Sequence, residues 1–285
     1  MDYEKSLFIF RRDLRLEDNT GLISALSQAG QVIPCFILDE QLLHTIPNKR
    51  KNDNAIQFMI ESLRDLDQQL KRKNSRLHLF SGKVHNVVKE LIVKEKIGAV
   101  HFNDDYTVFS KKRDEGIYNI CRKENVKCIR NPDLLLINDP RSIMKPSDGK
   151  AYTVFTHFFN KAIEVSTLKP LKNNYNNYSS RSSYSLSKEI EDRKKEDVYQ
   201  QILETYNTKI YARGGRSQCL DVAFDSVDLR IVFRDGAIWI QAEHLTFVCS
   251  PILGSNLVCS WEMLGLVIQT CQCQLVFALL AYSII

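Results

Sequence analysis

Phe8-Ile9-Phe10-Arg11-Arg12-Asp13-Leu14-Arg15-Leu16-Glu17-Asp18-Asn19 is the stretch on which the reading of the fold turns. Its apolar opening, Ser6–Phe10 (SLFIF), is a short uninterrupted run that ends abruptly in charge. A run of that length reads as a buried strand, and the residues after it as a loop carrying Arg11, Arg12, Arg15 and Asp13. Such a loop can cap carbonyl ends internally as a salt-bridge knot, and it can also hold an anion. Spacing alone favours the knot.

Outward from this stretch, short apolar runs alternate with amphipathic segments. Thr20 opens a helix pattern through Gln28, with Leu22, Ile23 and Leu26 on one face. Gln31–Leu38 is the next strand, and a polar loop containing Pro47 comes after it. Asn54–Lys73 places Ile56, Met59, Ile60, Leu63, Leu66 and Leu70 at helical spacing. Leu77–Phe80, Ala99–Asn103 and Lys127–Arg130 read as strands, Lys83–Glu95 and Ser110–Asn125 as helices. The alternation predicts an α/β fold: a doubly wound, parallel, five-stranded Rossmann-like sheet with helices on both faces. Ligands of such sheets bind outside the carboxyl ends of the strands, which places Arg11–Arg15, Asp39–Glu40 and Asn103–Tyr106 at the functional rim.

The second half changes character twice. Residues 166–190 read as a linker, since Asn173–Ser187 (NNYNNYSSRSSYSLS) is polar, of low complexity and without period. Lys188–Tyr206 is a charged helix pattern. No lysine occurs after Lys209, and Leu264–Ile285 carries no charge. Residues 223–285 therefore form an atypical hydrophobic tail, expected to be irregular or helical. Leu264–Ile285 is long enough to span a bilayer, but Gln269, Gln272 and Gln274 interrupt it. So abrupt a break points to a shifted reading frame or a disrupted gene ahead of a tail anchor or a new domain.

Composition sets wide bounds. At 285 residues the chain holds one large domain, or an α/β domain with an appendage. The net charge of +5 is compatible with a nucleic-acid partner and does not demand one. The amino terminus holds Asp2 and Glu4 ahead of a short apolar run and shows no signal peptide, so an intracellular, cytoplasmic or nuclear location is expected, without a membrane. Cys35, Cys121 and Cys128 lie in apolar segments and read as buried thiols. Cys219, Cys249, Cys259, Cys271 and Cys273 crowd the last third, but the spacing of the final pair is not that of a zinc knuckle, and no metal site is expected. An arginine-rich loop stands where a generic nucleotide-binding module carries its glycine-rich turn.

The order of residues in Phe10–Asn19 resembles the opening signature of the DNA photolyase/cryptochrome family, an aromatic followed by Arg-Arg-Asp-Leu-Arg and then Asp-Asn. Phe36-Ile37-Leu38-Asp39, Asn54–Met59 with Glu61-Ser62-Leu63, Asn103 with Tyr106, Lys112-Arg113-Asp114, Tyr152–Thr156 with Phe158, and Gly214-Gly215-Arg216 with Leu220 resemble later family segments in the expected order. The resemblance covers about residues 6–222. It implies that residues 1–165 are an antenna α/β domain and that residues 191–222 begin an FAD-binding helical domain. In that family light energy passes from an antenna chromophore to FAD, and reduced flavin donates an electron to a pyrimidine dimer flipped out of DNA.

Resemblance and rim position together point to Arg11, Phe36, Asp39, Asn54 and Asp105 as antenna neighbours, though Asn54 could equally be a helix N-cap and Asp39 a strand-terminating carboxylate. Folate-binding members carry an Asn-Glu pair where this chain has Phe109 and Ser110, so a deazaflavin or flavin antenna is implied ahead of folate. Tyr211, Gly214, Gly215 and Arg216 look like a remnant of the flavin-domain motif. Beyond Val222 no family motif can be placed: Phe233-Arg234-Asp235 is a superficial echo, and Trp239 and Trp261 stand in unrelated contexts. The chain is thus read as a photolyase-related protein for light-driven dimer repair, truncated before its FAD cradle and inactive alone. No catalytic residue is assigned, damaged DNA is the implied partner, and a complementing chain could supply the missing domain. The alternative is a non-catalytic antenna-binding domain or the product of a disrupted gene.

Overall fold

The computed structural model describes residues 1–39, 52–133, 135, 142–165, 169–187, 195–203, 205–209 and 213–218, and the strand residues 230–234, 237–242 and 245–249. They divide into two compact units, Met1–Asn207 and Thr208–Ile285.

The first unit is built on β1 (Tyr3–Phe10), α1 (Thr20–Gln28), β2 (Ala29–Leu38), α2 (Asp53–Lys71), β3 (His78–Ser81), α3 (Val84–Glu95), β4 (Ala99–Asn103), α4 (Val108–Lys123) and β5 (Lys127–Asn131). The five strands are parallel, as the sequence predicts, and lie in the order β3-β2-β1-β4-β5. Side chains alternate across the strands, so each apolar run supplies two cores. Phe8, Phe10, Val32, Phe36 and Leu38 meet α1 and α2 on one face. Leu7, Ile9, Ile33, Ile37, Val100 and Phe102 meet α3 and α4 on the other.

Helix starts reflect local chemistry. Asn19 caps α1 by accepting from the Leu22 N–H, Asn52 caps α2 by accepting from Asn54 and Ala55, and Thr107 caps α4 by accepting from Ser110. Asn54 is therefore a first-turn residue and not the cap. The left-handed backbone of Asn74, Lys96 and Asn125 turns the chain just past α2, α3 and α4.

The stretch expected to be an exposed linker is instead a strap on the sheet. Residues 177–179 pair with β2 at Val32, ahead of Cys35, where β3 begins to pair. Val32 N–H donates to Asn177 O at 2.9 Å, and Ser179 N–H returns to Val32 O at 2.7 Å. Tyr178 belongs to the core under α1 and α2, Tyr184 to the core under α3 and α4, so the strap passes from one face to the other. Its low complexity hid this, because burial here rests on hydrogen bonds and two aromatic anchors with no period. Asn173 donates to Leu16 O at 2.8 Å, and Asn177 to Leu26 O and Ala29 O at 2.9 and 2.7 Å. The Tyr184 ring stands edge-on to His78, 4.6 Å between centroids.

Two short helices complete this unit. Amphipathic α5 (Phe155–Ala162) has no buried residue. The charged helix expected over 188–206 is described as α6 (Lys195–Ile202), and it returns Val198 and Tyr199 to the first core. In the second unit β6 (Arg230–Arg234), β7 (Ala237–Ala242) and β8 (Leu245–Cys249) form an antiparallel sheet where a helical or irregular tail was expected. Their β-branched and aromatic residues suit strands, and the Asp235-Gly236 between β6 and β7 is a pair favoured in two-residue hairpin loops. Among the described residues no helix is long and apolar enough to cross a membrane. Leu264–Ile285, Trp261 and the cysteines beyond Cys249 lie outside the described residues, as does Cys219.

His101, in β4, is fully buried with both ring nitrogens lacking a hydrogen-bond partner among the described residues. Burial pushes its pKa down to about 4, so the native state holds it neutral. Its contribution is complete above the ordinary histidine range and disappears as pH falls from about 6.5 through 4, by up to about 3 kcal/mol. Urea unfolding at pH 7 and pH 4.5 should show this loss in the wild type and a smaller one in His101→Leu. Because the strap and α6 close the cores, a fragment ending at residue 165 should lack a cooperative thermal transition that a fragment ending at Asn207 retains. Differential scanning calorimetry compares the two directly.

Candidate functional site

At the carboxyl edge of the sheet the chain order reverses between β1 and β4, the crevice where ligands of such sheets enter. Here that crevice is filled by the protein's own polar side chains. Asp13, buried at the end of β1, accepts from the Arg11 N–H at 2.7 Å and from the side-chain amides of Asn19 and Asn103. Burial pushes the Asp13 carboxyl above its ordinary range, and these hydrogen bonds oppose the rise. Asn103 also donates to Asn19 Oδ1 at 2.8 Å and accepts from the Gly21 N–H at 2.9 Å. A Cβ on Gly21 would stand 2.3 Å from Asn103 Oδ1, so this approach requires glycine.

Around Asp13 the cations are matched by carboxylates. Arg11 pairs with Asp114 of α4, donating from Nη1 to Oδ2 at 2.9 Å with Nη2 in ion-pair contact 2.7 Å from Oδ1, and lies 4.1 Å over the Phe102 ring. Burial, then the nearby Arg113 charge, lowers the Arg11 pKa, and Asp114 pulls it back. Arg15 pairs with Asp133 at 2.8 Å, and the other oxygen of Asp133 receives the Thr20 N–H at 2.8 Å. Arg12 meets Asp105 at 3.4 Å with its own side chain 63% exposed. Burial raises the Asp105 carboxyl, but Arg12, hydrogen bonds from Thr107 and Ser110, and the Arg113 charge outweigh it, and the group sits below the ordinary carboxylate range.

The expected site residues fall into two sets. Arg11 and Asp105 share this rim, the first buried against Asp114 and the second against Arg12. Phe36 is near the end of β2, buried, and Asp39 is half-buried just past the strand end. Exposed Asn54 accepts from the Asn207 side chain at 3.1 Å. The Arg11 side chain turns the other way, toward Asn103 at the end of β4 and Asp114 on α4, so the knot and the β2 end are separate parts of the rim. In the second unit Gly214 and Gly215 are buried and Arg216 is half-buried; Tyr211 lies outside the described residues. Phe109 and Ser110 sit in the first turn of α4, where the Ser110 hydroxyl accepts from Thr107 Oγ1 at 2.8 Å.

The knot lies within a stretch that matches known proteins. The family model for DNA photolyase matches residues 6–174, more than half of the chain. The chain belongs to the DNA photolyase family. Over 157 residues it is 34% identical to Cryptochrome-1 of Aedes aegypti, covering 52% of this chain and 28% of that protein. Over 153 residues it is 30% identical to the deoxyribodipyrimidine photo-lyase of Synechococcus sp., covering 54% and 31%. An archaeal photolyase from Sulfolobus tokodaii, described with two FAD molecules and a novel light-harvesting cofactor, matches with a TM-score of 0.64 and 35% identity, over 76% of this chain and 45% of that one. The chain therefore spans less than half the length of each of these photolyase-family proteins.

The sequence points to Arg11 but not to its partner. Asp114 stands out there only within a resembling motif, and nothing marks Asp133 or Gly21. The one available signal is that buried arginines need carboxylates, and neither aspartate lies close in sequence to the arginine it meets. Asp114→Ala should leave Arg11 buried without a counter-charge and lower the unfolding free energy by about 3–5 kcal/mol. The double replacement Arg11→Met with Asp114→Leu should lose less, and guanidinium melts of the variants and wild type check the order.

Proposed function

We propose that Met1–Asn207 is the antenna-side module of a photolyase-type protein for light-driven repair of pyrimidine dimers in DNA, inactive without a flavin-binding helical domain. The observation that carries this reading is the family match over residues 6–174 on a five-stranded sheet of the same fold as the Sulfolobus photolyase, at 35% identity. Damaged DNA is the partner in the assembled protein, and a second chain carrying the FAD domain would complete it.

The antenna is assigned to the carboxyl rim on the β2 side, because the β1/β4 crevice is filled. Phe36, Asp39 and Asn54 are its proposed neighbours on that side, while Arg11 and Asp105 belong to the knot farther along the rim. Exposed Arg12 holds donors toward solvent at the same rim, which suits an anionic chromophore. When bound, such a chromophore supplies absorption of light; the protein's residues orient it. A flavin or deazaflavin is favoured over folate, since Phe109 and Ser110 offer no carboxylate there, and the Sulfolobus neighbour is described with a second FAD. FAD of the catalytic kind would need the helical cradle whose opening motif is Tyr211, Gly214, Gly215 and Arg216.

Absorption between about 300 and 500 nm after addition of FAD or a deazaflavin, followed by gel filtration, tests the assignment. A retained band that weakens at least about tenfold in affinity in Asp39→Ala and Arg12→Ala is expected, with no dimer splitting under light by the chain alone. Absence of any retained band overturns the antenna assignment, and dimer splitting by the chain alone overturns the dependence on a further domain.

A further inference from the structure

The outward face of α4 carries charge that the protein itself does not answer. Ser110, Asp114, Ile117 and Cys121 are its buried residues. The helical repeat therefore gathers Lys111, Lys112, Glu115, Tyr118, Arg122 and Lys123 on the opposite side, all of them exposed. That face holds four cations and one carboxylate, and among the described residues none of the four cationic side chains has a hydrogen-bond or ion-pair partner. Order along the helix gives the reason. Asp67 before Lys71 and Glu90 before Lys94 set the acid one turn ahead of the cation, the favourable sense, and both pairs form, at 3.0 and 2.6 Å. In α4 Lys111 comes before Glu115, the poorer sense, and Arg122 and Lys123 have Tyr118 and Asn119 four residues ahead of them in place of acids. Stability does not call for Lys111 and Lys112 either. The first turn of α4 holds no acid, and the helix dipole disfavours cations near that end. Tyr118, 49% exposed, stands within the row, one turn before Arg122 and about two turns after Lys111.

We propose that the outer face of α4 binds single-stranded nucleic acid, with phosphates on Lys111, Lys112, Arg122 and Lys123 and a base stacked on Tyr118. Lys111 and Arg122 lie about 16 Å apart along the axis, so the row follows several successive phosphates of one strand. An unmatched row of cations calls for a polyanion, and an exposed ring within the row offers a flat face to a base. A duplex keeps its bases stacked on one another and leaves that ring without a use, and an anionic bilayer presents no bases at all. The contact needs neither light, flavin nor a lesion, so it stands or falls separately from the repair reading.

The test is fluorescence anisotropy of a labelled oligothymidylate with the full chain, in the dark and without flavin. Affinity should fall about fiftyfold between about 50 and 200 mM salt, as four phosphate contacts on a single strand require. Replacing Lys111, Lys112, Arg122 and Lys123 together by Ala should weaken binding at least about tenfold and flatten the salt dependence. Replacing Arg72, Lys83, Lys89 and Lys172, four exposed cations scattered elsewhere, should weaken it no more than about threefold. Tyr118→Ala should cost at least about fivefold without changing the salt slope, and Tyr118→Phe, which keeps the ring, should restore binding. All the replaced side chains are exposed, and thermal melts confirm that the variants are folded. Equal loss in the two charge variants, a Tyr118→Ala variant that binds like wild type, or a duplex bound as tightly as the single strand overturns the proposal. So does binding to phosphatidylserine vesicles through the α4 cations with no binding to the oligonucleotide.

Discussion

A carboxylate shut away from water must find its hydrogen bonds in the protein, and Asp13 finds them on three elements at once. The β1 end supplies a backbone N–H, the start of α1 supplies Asn19, and the end of β4 supplies Asn103. Each amide that serves Asp13 has a second duty: Asn19 caps α1, and Asn103 receives the Gly21 N–H. The entry angle of the first helix and the pairing of the two central strands are thereby one decision. A network of this kind is stable only when complete, since any member left unpaired would bear its full desolvation cost.

The charges around it obey the same logic. Arg11 and Arg15, carried into the interior by the loop that supplies Asp13, are each met by an aspartate from a distant element. The arginine-rich signature that looks like an anion cradle thus serves first as scaffold, and of its three arginines Arg12 is the one that faces solvent. A fold whose usual entry crevice is plugged in this way leaves chemistry to the neighbouring strand ends and to whatever packs beyond them.

The sheet was legible because each strand is an unbroken apolar run and each helix repeats its apolar residues every three or four positions. Thr20–Gln28 and Ala99–Asn103 were readable to the residue for that reason. The partners of the rim were not, since Asp114 and Asp133 lie 103 and 118 residues from the arginines they meet. The strap was hidden by a different cause. Tyr178, Ser179 and Tyr184 are buried one contact at a time, and polar composition gives no sign of it. In the tail, three runs of β-branched and aromatic residues with an Asp-Gly between two of them carry the strand signal, and the loss of lysine there is only a feature of composition.

The strap also sets the order of events during synthesis. Asn173 closes onto Leu16 across 157 residues of chain. At about 5–20 residues per second, a ribosome needs on the order of ten seconds to deliver it after the loop it will clasp. Throughout that interval the row of β2 beside Val32 is an open backbone edge, able to pair with any strand nearby. The nascent sheet is therefore most exposed to wrong partners just when it is nearly complete, and the tyrosines of the strap end that exposure.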